Sequence, residues 1–115
     1  MSIVRHNVGP RLSQAVRHGD TLYLAGQVAD DPSAPVKGQT EQVLRKIDAL
    51  LAHFGSHKSK MLSVTIWLAN MGSFEEMNAV WDAWVEAGHT PARATVESRL
   101  ARPGHLVEIA VIAAV

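Results

Sequence analysis

Arg93 and Glu108 are the two residues of this chain whose type and placement point to chemistry. Arg93 follows a Pro91-Ala92 step and opens the extended run Ala92-Arg93-Ala94-Thr95-Val96-Glu97-Ser98. Glu108 stands near the start of the most hydrophobic segment, Leu106-Val107-Glu108-Ile109-Ala110-Val111-Ile112. Both runs have strand character, and each carries a charge where an apolar residue is expected. A buried carboxylate is costly unless it is paired or hydrogen-bonded, so Glu108 requires a reason. A guanidinium offers two parallel N–H donors and fixes a carboxylate in position and orientation. A carboxyl group in an apolar setting can pass a proton to or from water. Thr95, two residues beyond Arg93, shares its strand face. An arginine clamp with one carboxylate and no metal suits proton transfer and water addition on a small acid. The same spacing fits a buried structural ion pair between Arg93 and Glu108 equally well, and both readings stand at this point.

The rest of the chain reads as a scaffold for that pair. Ser2 to Asn7 alternates weakly, as a short edge strand does, and Gly9-Pro10 breaks it. Leu12 to Arg17 and Thr21 to Ala25 flank His18-Gly19-Asp20, a hairpin signal that turns Leu22 and Leu24 to the core and Tyr23 to the other side. Gly26-Gln27 ends this strand, and glycine there marks either a strand end or a close approach to the backbone. Ala29 to Gly38 is rich in Asp, Pro and Ser and reads as a loop. From Gln39 to Phe54 the period changes: Val43, Leu44, Ile47, Leu50, Leu51 and Phe54 share one helical face, and Gly55 is placed as the C-terminal cap.

Period two returns from Lys58 to Leu68, with Leu62, Val64, Ile66 and Leu68 on one face and Met61, Ser63, Thr65 and Trp67 on the other. A second helix is expected from Ser73, capped by its hydroxyl and by Glu76 three residues on, with Gly88 as its stop. Its apolar stripe is Phe74, Met77, Val80, Trp81, Trp84 and Val85. Two helices cover only one face of a five- or six-stranded sheet. The last strand is nevertheless apolar on both faces apart from Glu108, as expected of a strand buried on both sides. An oligomer with sheets packed on each other follows, with Glu108 close to a subunit boundary.

At 115 residues the chain reads as one domain, 1–115, with 47% apolar and 19% charged residues. Eleven basic residues balance eleven acidic ones, so no net charge favours a phosphate backbone or an anionic membrane surface. The absence of cysteine excludes disulfides, thiolate nucleophiles and cysteine-based zinc sites, and is compatible with a reducing cytosol. The first residues lack the apolar core of a signal peptide, and no apolar run approaches the roughly 20 residues that span a bilayer. A cytoplasmic protein is expected. His53 and His57 have helical ligand spacing, but Gly55 interrupts the helix between them and no third ligand is apparent, so a metal site is not expected. Trp81 and Trp84 read as core or interface packing.

Taken in order, Gly26-Gln27, Gln39-Thr40-Glu41-Gln42-Val43-Leu44, Phe74 and Asn78, Pro91-Ala92-Arg93, and Val107-Glu108-Ile109 with Ile112-Ala113 resemble the RidA/YjgF family over almost the whole chain. Trp81-Asp82-Ala83-Trp84-Val85 looks like a small bacterial side branch of it. The resemblance implies a chorismate-mutase-like α+β fold, with a mixed six-stranded sheet, two helices on one face, and sheets packed in a homotrimer. It implies cofactor-free hydrolysis of 2-enamine or 2-imine acids, such as 2-aminoacrylate, to 2-keto acids and ammonia in clefts between subunits. Arg93 matches the family's carboxylate-binding arginine and Glu108 its water-positioning glutamate. Gly26 matches a backbone contact of the pocket, and Asn78 a helix asparagine near it.

Three positions depart from the family pattern. Leu12 stands where deaminases have a pocket-facing tyrosine, Ala25 where they have serine, and Thr95 where they have cysteine. Each changes a polar contact, so a more apolar pocket is expected. The competing reading is a non-catalytic trimer that binds a 2-keto or amino acid at Arg93, favoured by the loss of the tyrosine at Leu12. An endoribonuclease or translation-inhibitor role ranks last, because the chain offers no basic groove and no histidine pair poised for RNA cleavage.

Overall fold

The computed structural model describes residues 1–115. Its elements are β1 (Ile3–Val8), β2 (Ser13–His18), β3 (Thr21–Gln27), α1 (Val36–His53), β4 (Met61–Leu68), α2 (Phe74–Trp84), β5 (Ala92–Glu97) and β6 (Val107–Ala114), with short 3-10 turns at Lys58–Lys60 and Met71–Ser73. This is the element order expected from the periodicities. All six strands join one sheet in the order β1-β2-β3-β6-β4-β5. β4 and β5 run parallel, connected through α2, and every other pairing is antiparallel. The most hydrophobic strand, β6, therefore lies inside the sheet, while β1 and β5 are its edges.

Both helices pack on one face. Register rows carry the core across the strands: Ala15 pairs with Leu24, Leu24 with Val111, and Val111 with Val64. Ile109 with Ile66 and Val107 with Leu68 form parallel rows. Val43, Leu44, Ile47, Leu50 and Leu51 from α1 and Met77 and Trp81 from α2 close over these rows in one buried cluster. Each such aliphatic side chain contributes about 1.5–3 kcal/mol of burial. The opposite face carries Tyr23, Val96 and Ile112, which remain exposed in the single chain.

Two helix boundaries and two local features differ from the sequence expectation. α1 begins at Val36 rather than Gln39, because Pro35 takes the N-cap position and Thr40 Oγ1 donates to Val36 O at 2.7 Å. It ends as expected: Gly55 adopts φ +72°, while Gly55 N–H and Ser56 N–H reach back to the carbonyls of Ala52 and Leu51 at 3.0 and 2.9 Å. In β4 a bulge between Met61 and Ser63 resets the alternation. Met61 therefore enters the core and Leu62 is turned out, the reverse of the simple period-two assignment.

The capping box at Ser73 and Glu76 does not form. The Met71–Ser73 turn already winds the chain, its Gly72 N–H is capped by Asn70 Oδ1 at 2.7 Å, and Ser73 makes no side-chain cap. α2 also stops at Trp84, before Gly88, since Val85 is extended; Gly88 belongs to a separate turn closed by His89 N–H on Glu86 O at 3.0 Å.

Candidate functional site

Arg93 enters the site from edge strand β5, on the helix-covered face. Its register partner is Val64, a core residue, so its side chain is directed under α2. Nη1 donates to Asn78 Oδ1 at 2.8 Å. The guanidinium carbon lies 5.2 Å from the Trp81 ring centroid and 5.9 Å from that of Phe74. Phe74, Asn78 and Trp81 recur at i, i+4 and i+7 along α2, so one stripe of that helix surrounds the cation. Thr95 lies two residues further on the same face, and its Oγ1 is buried without a hydrogen-bond partner. The family resemblance includes Phe74 and Asn78, whereas the sequence alone assigns Trp81 to packing; the signal that could have found it is this common stripe.

Glu108 sits on β6 in a different setting. Val107 and Ile109 on either side of it are buried under the helices, so Glu108 projects from the open face. Its register partner is Trp67. Between Leu24 and Gln27 the β3–β6 register shifts, with one extra residue on β3. This bulge brings Gly26 beneath the Glu108 side chain: a methyl group added at Gly26 would collide with Glu108 Oε2 and stand 2.9 Å from its Cδ. The close approach anticipated at Gly26 is thus made by Glu108 itself. Gln27 is buried and donates to Gln14 Oε1 at 2.9 Å, tying β3 to β2. Leu12, two residues before Gln14, consequently stands at this end of the sheet and is 53% exposed.

Of the six candidate residues, Arg93, Asn78 and Thr95 fall in one group and Glu108 and Gly26 in another, while Leu12 lies in the β1–β2 connection, where its carbonyl accepts from Gly9 N–H at 2.8 Å. Arg93 and Glu108 do not meet within the chain. Arg93 aligns with Val64 and Val111, whereas Glu108 aligns with Trp67 and Val96, so the two are separated by strand β4 and by an odd number of residues. Strand spacing and rise put their Cα atoms about 14 Å apart, on opposite faces. The structural ion pair that the spacing left open is not formed within the chain, whose one close ion pair is Lys46 with Asp30 at 2.8 Å. Arg93 is instead a half-buried cation surrounded by an amide oxygen and two ring faces.

A hollow of about 830 Å³ lined by residues 97–106 and Ala69 contains none of the six. The histidines do not gather into a site either. His53 closes α1 stacked on His6, with centroids 3.7 Å apart, and His57 Nδ1 accepts from Ser59 N–H at 3.1 Å. No helix is long and apolar enough to cross a membrane.

The chain and its fold have relatives among known proteins. A family model described as Endoribonuclease L-PSP matches residues 5–115. The RutC family protein YoaB of Escherichia coli K12 is 46% identical over 115 residues, covering 100% of both chains. A RutC family protein of Haemophilus ducreyi is 43% identical over 98% of this chain and 97% of its own. Among solved structures, a YjgF family member from Neisseria meningitidis superposes with a TM-score of 0.96 at 46% identity, over 99% of this chain and 95% of that one. A Rid family protein from Yersinia pestis gives 0.87 at 34% identity, over 94% and 90%. The chain belongs to the YjgF/RidA family, the family described as Endoribonuclease L-PSP. Its mixed six-stranded sheet with two helices is the fold of these relatives.

Proposed function

We propose that this protein is a cytoplasmic, cofactor-free hydrolase that deaminates small 2-enamine or 2-imine acids, such as 2-aminoacrylate, to 2-keto acids and ammonia. The observation that carries the reading is Arg93: a half-buried guanidinium with no carboxylate partner in its own chain, held by Asn78 Oδ1 and the rings of Trp81 and Phe74. A cation in that setting is a ready receptor for a substrate carboxylate. Glu108, fixed over Gly26 on the open face, is the group to hold a water. Because the two project from opposite faces, one complete site takes Arg93, Asn78 and Thr95 from one chain and Glu108 and Gly26 from a neighbour, in a homotrimer.

In the proposed reaction the enamine first tautomerises to the imine. Arg93 binds its carboxylate, and Glu108 orients water against C2. The water oxygen bonds to C2, the C=N π pair moves to nitrogen and takes a proton, and a carbinolamine forms. Its collapse makes the C=O bond, breaks C–N and releases ammonia. Positioning is the main contribution, since holding reactants in attack geometry is itself worth several orders of magnitude. Replacing Arg93 with Ala is expected to abolish accelerated keto-acid release from enzymatically generated 2-aminoacrylate. An unchanged rate would overturn the assignment.

A second reading, a trimer that binds a keto or amino acid without turnover, draws on Leu12, which supplies no hydroxyl where the family resemblance leads one to expect a tyrosine. Binding of 2-ketobutyrate without ammonia release from any imino acid would establish it instead. The endoribonuclease description attached to the family has no support in the arrangement of Arg93 and Glu108.

A further inference from the structure

An unpaired, half-buried guanidinium has to be held in one orientation by something other than an anion. Asn78 Oδ1 takes one N–H of Arg93 at 2.8 Å, but a single hydrogen bond leaves the plane of the group free to turn about that contact. Two aromatic rings lie beside it. Arg93 Cζ stands over the Trp81 ring at 5.2 Å, closer than over Phe74 at 5.9 Å, and a cation over an indole face is attracted by the ring quadrupole.

Trp81 is itself immobilised. It is 5% exposed, its ring packs against Trp84 at 5.5 Å, and Trp84 Nε1 donates to Asp48 Oδ2 on α1 at 2.9 Å. Lys58 Nζ lies 5.2 Å from the Trp84 ring centroid. Two packed indoles thus each carry a cation, Arg93 at Trp81 and Lys58 at Trp84, and the pair is anchored to α1.

We propose that Trp81 is the positioning residue for Arg93: its indole face holds the guanidinium plane so that the N–H groups not used by Asn78 are presented together to a carboxylate. This rests on the reading of Arg93 as the carboxylate-binding group. Trp81 also belongs to the hydrophobic core, so a loss of stability on mutation would say nothing about positioning.

The test compares full-length wild type with Trp81→Phe and Trp81→Leu, binding 2-ketobutyrate and, separately, its uncharged methyl ester. Trp81→Phe keeps a ring face and is expected to bind the acid within a few-fold of wild type. Trp81→Leu keeps apolar volume only and is expected to bind it roughly five- to thirty-fold more weakly, the range that a partly desolvated cation–π contact spans. The ester should bind all three alike, and both variants should lose thermal stability to a similar extent. Equal binding of the acid by Trp81→Leu, or parallel weakening of acid and ester, would overturn the proposal.

If the variants do not fold, the wild type still decides. The Trp81 indole N–H resonance should shift saturably with 2-ketobutyrate, at the affinity reported by backbone amides of β5. A stationary indole with shifting β5 amides rejects Trp81. Amides that do not respond at all reject the carboxylate-binding reading of Arg93, and the proposal with it.

Discussion

A side chain at position 26 would have to occupy space that the Glu108 carboxylate fills. Gly26→Ala is therefore expected to leave the sheet intact but push Glu108 off its position, with a loss of deamination on the order of a hundredfold, the scale of a displacement of about 1 Å at a reacting centre. Initial rates of keto-acid formation check this, and wild-type turnover in a folded variant would show that Gly26 has no part in placing Glu108. Thr95 allows the opposite separation of stability and function. Its buried Oγ1 has no partner, so Thr95→Val, which keeps shape and removes the hydroxyl, is expected to be neutral or stabilising by up to about 1 kcal/mol in denaturant unfolding. A clear destabilisation would mean that the hydroxyl is bonded in solution. Arg93 and Glu108 were legible in the sequence because each breaks an apolar pattern. That Gly26 answers to Glu108 was not, because the β3 bulge that brings them together leaves no periodic trace.

Among the elements, α1 has its first turn tied to the chain before β6 by one side chain. Gln39 is fully buried; its amide donates to Ala34 O and Gly104 O, both at 2.9 Å, and its Oε1 accepts from Leu106 N–H at 2.9 Å. Gln39→Leu leaves those backbone groups unsatisfied and is expected to cost about 2–4 kcal/mol, measured as a fall in the urea midpoint at unchanged slope. A loss of stability below about 0.5 kcal/mol would show that water replaces the amide. Just ahead of α1, Asp31 accepts from Ser33 Oγ at 2.6 Å and Ser33 N–H at 3.0 Å, which hold its carboxyl below the usual carboxylate range. With the folded value depressed, its contribution to stability is present above the unfolded pKa and is lost as pH falls through the folded one. Ser33→Ala should raise the Asp31 titration midpoint in a carbon-detected NMR titration, and an unmoved midpoint would assign the shift elsewhere. Helix periodicity revealed α1 and α2, and hairpin chemistry revealed β2 and β3. The core face of β4 at Val64, Ile66 and Leu68 and the start of α2 after Ser73 were legible, but Met61 and Leu62 exchange faces because of one inserted residue, and the Ser73 side chain makes no cap.

For the molecule as a whole, the decisive feature is the sheet face that no helix covers. Tyr23, Leu62, Val96 and Ile112 are exposed apolar side chains of strands β3 to β6, more than a sheet facing water requires. In the proposed trimer these faces meet, and sedimentation should return three times the 12.5 kDa chain mass. Ile112→Glu is expected to yield smaller species without activity. Mixing inactive Arg93→Ala and Glu108→Gln chains, unfolded and refolded together, should restore about one quarter of the wild-type rate, because random assembly places an intact Arg93 against an intact Glu108 at that share of interfaces. No recovery would mean that both residues act from one chain. The opposite orientation of these two side chains also has a kinetic consequence. Turnover per chain should fall with dilution once the assembly begins to dissociate, even though every chain stays folded, and added 2-keto acid should hold the assembly together, seen by sedimentation, by binding only the assembled form.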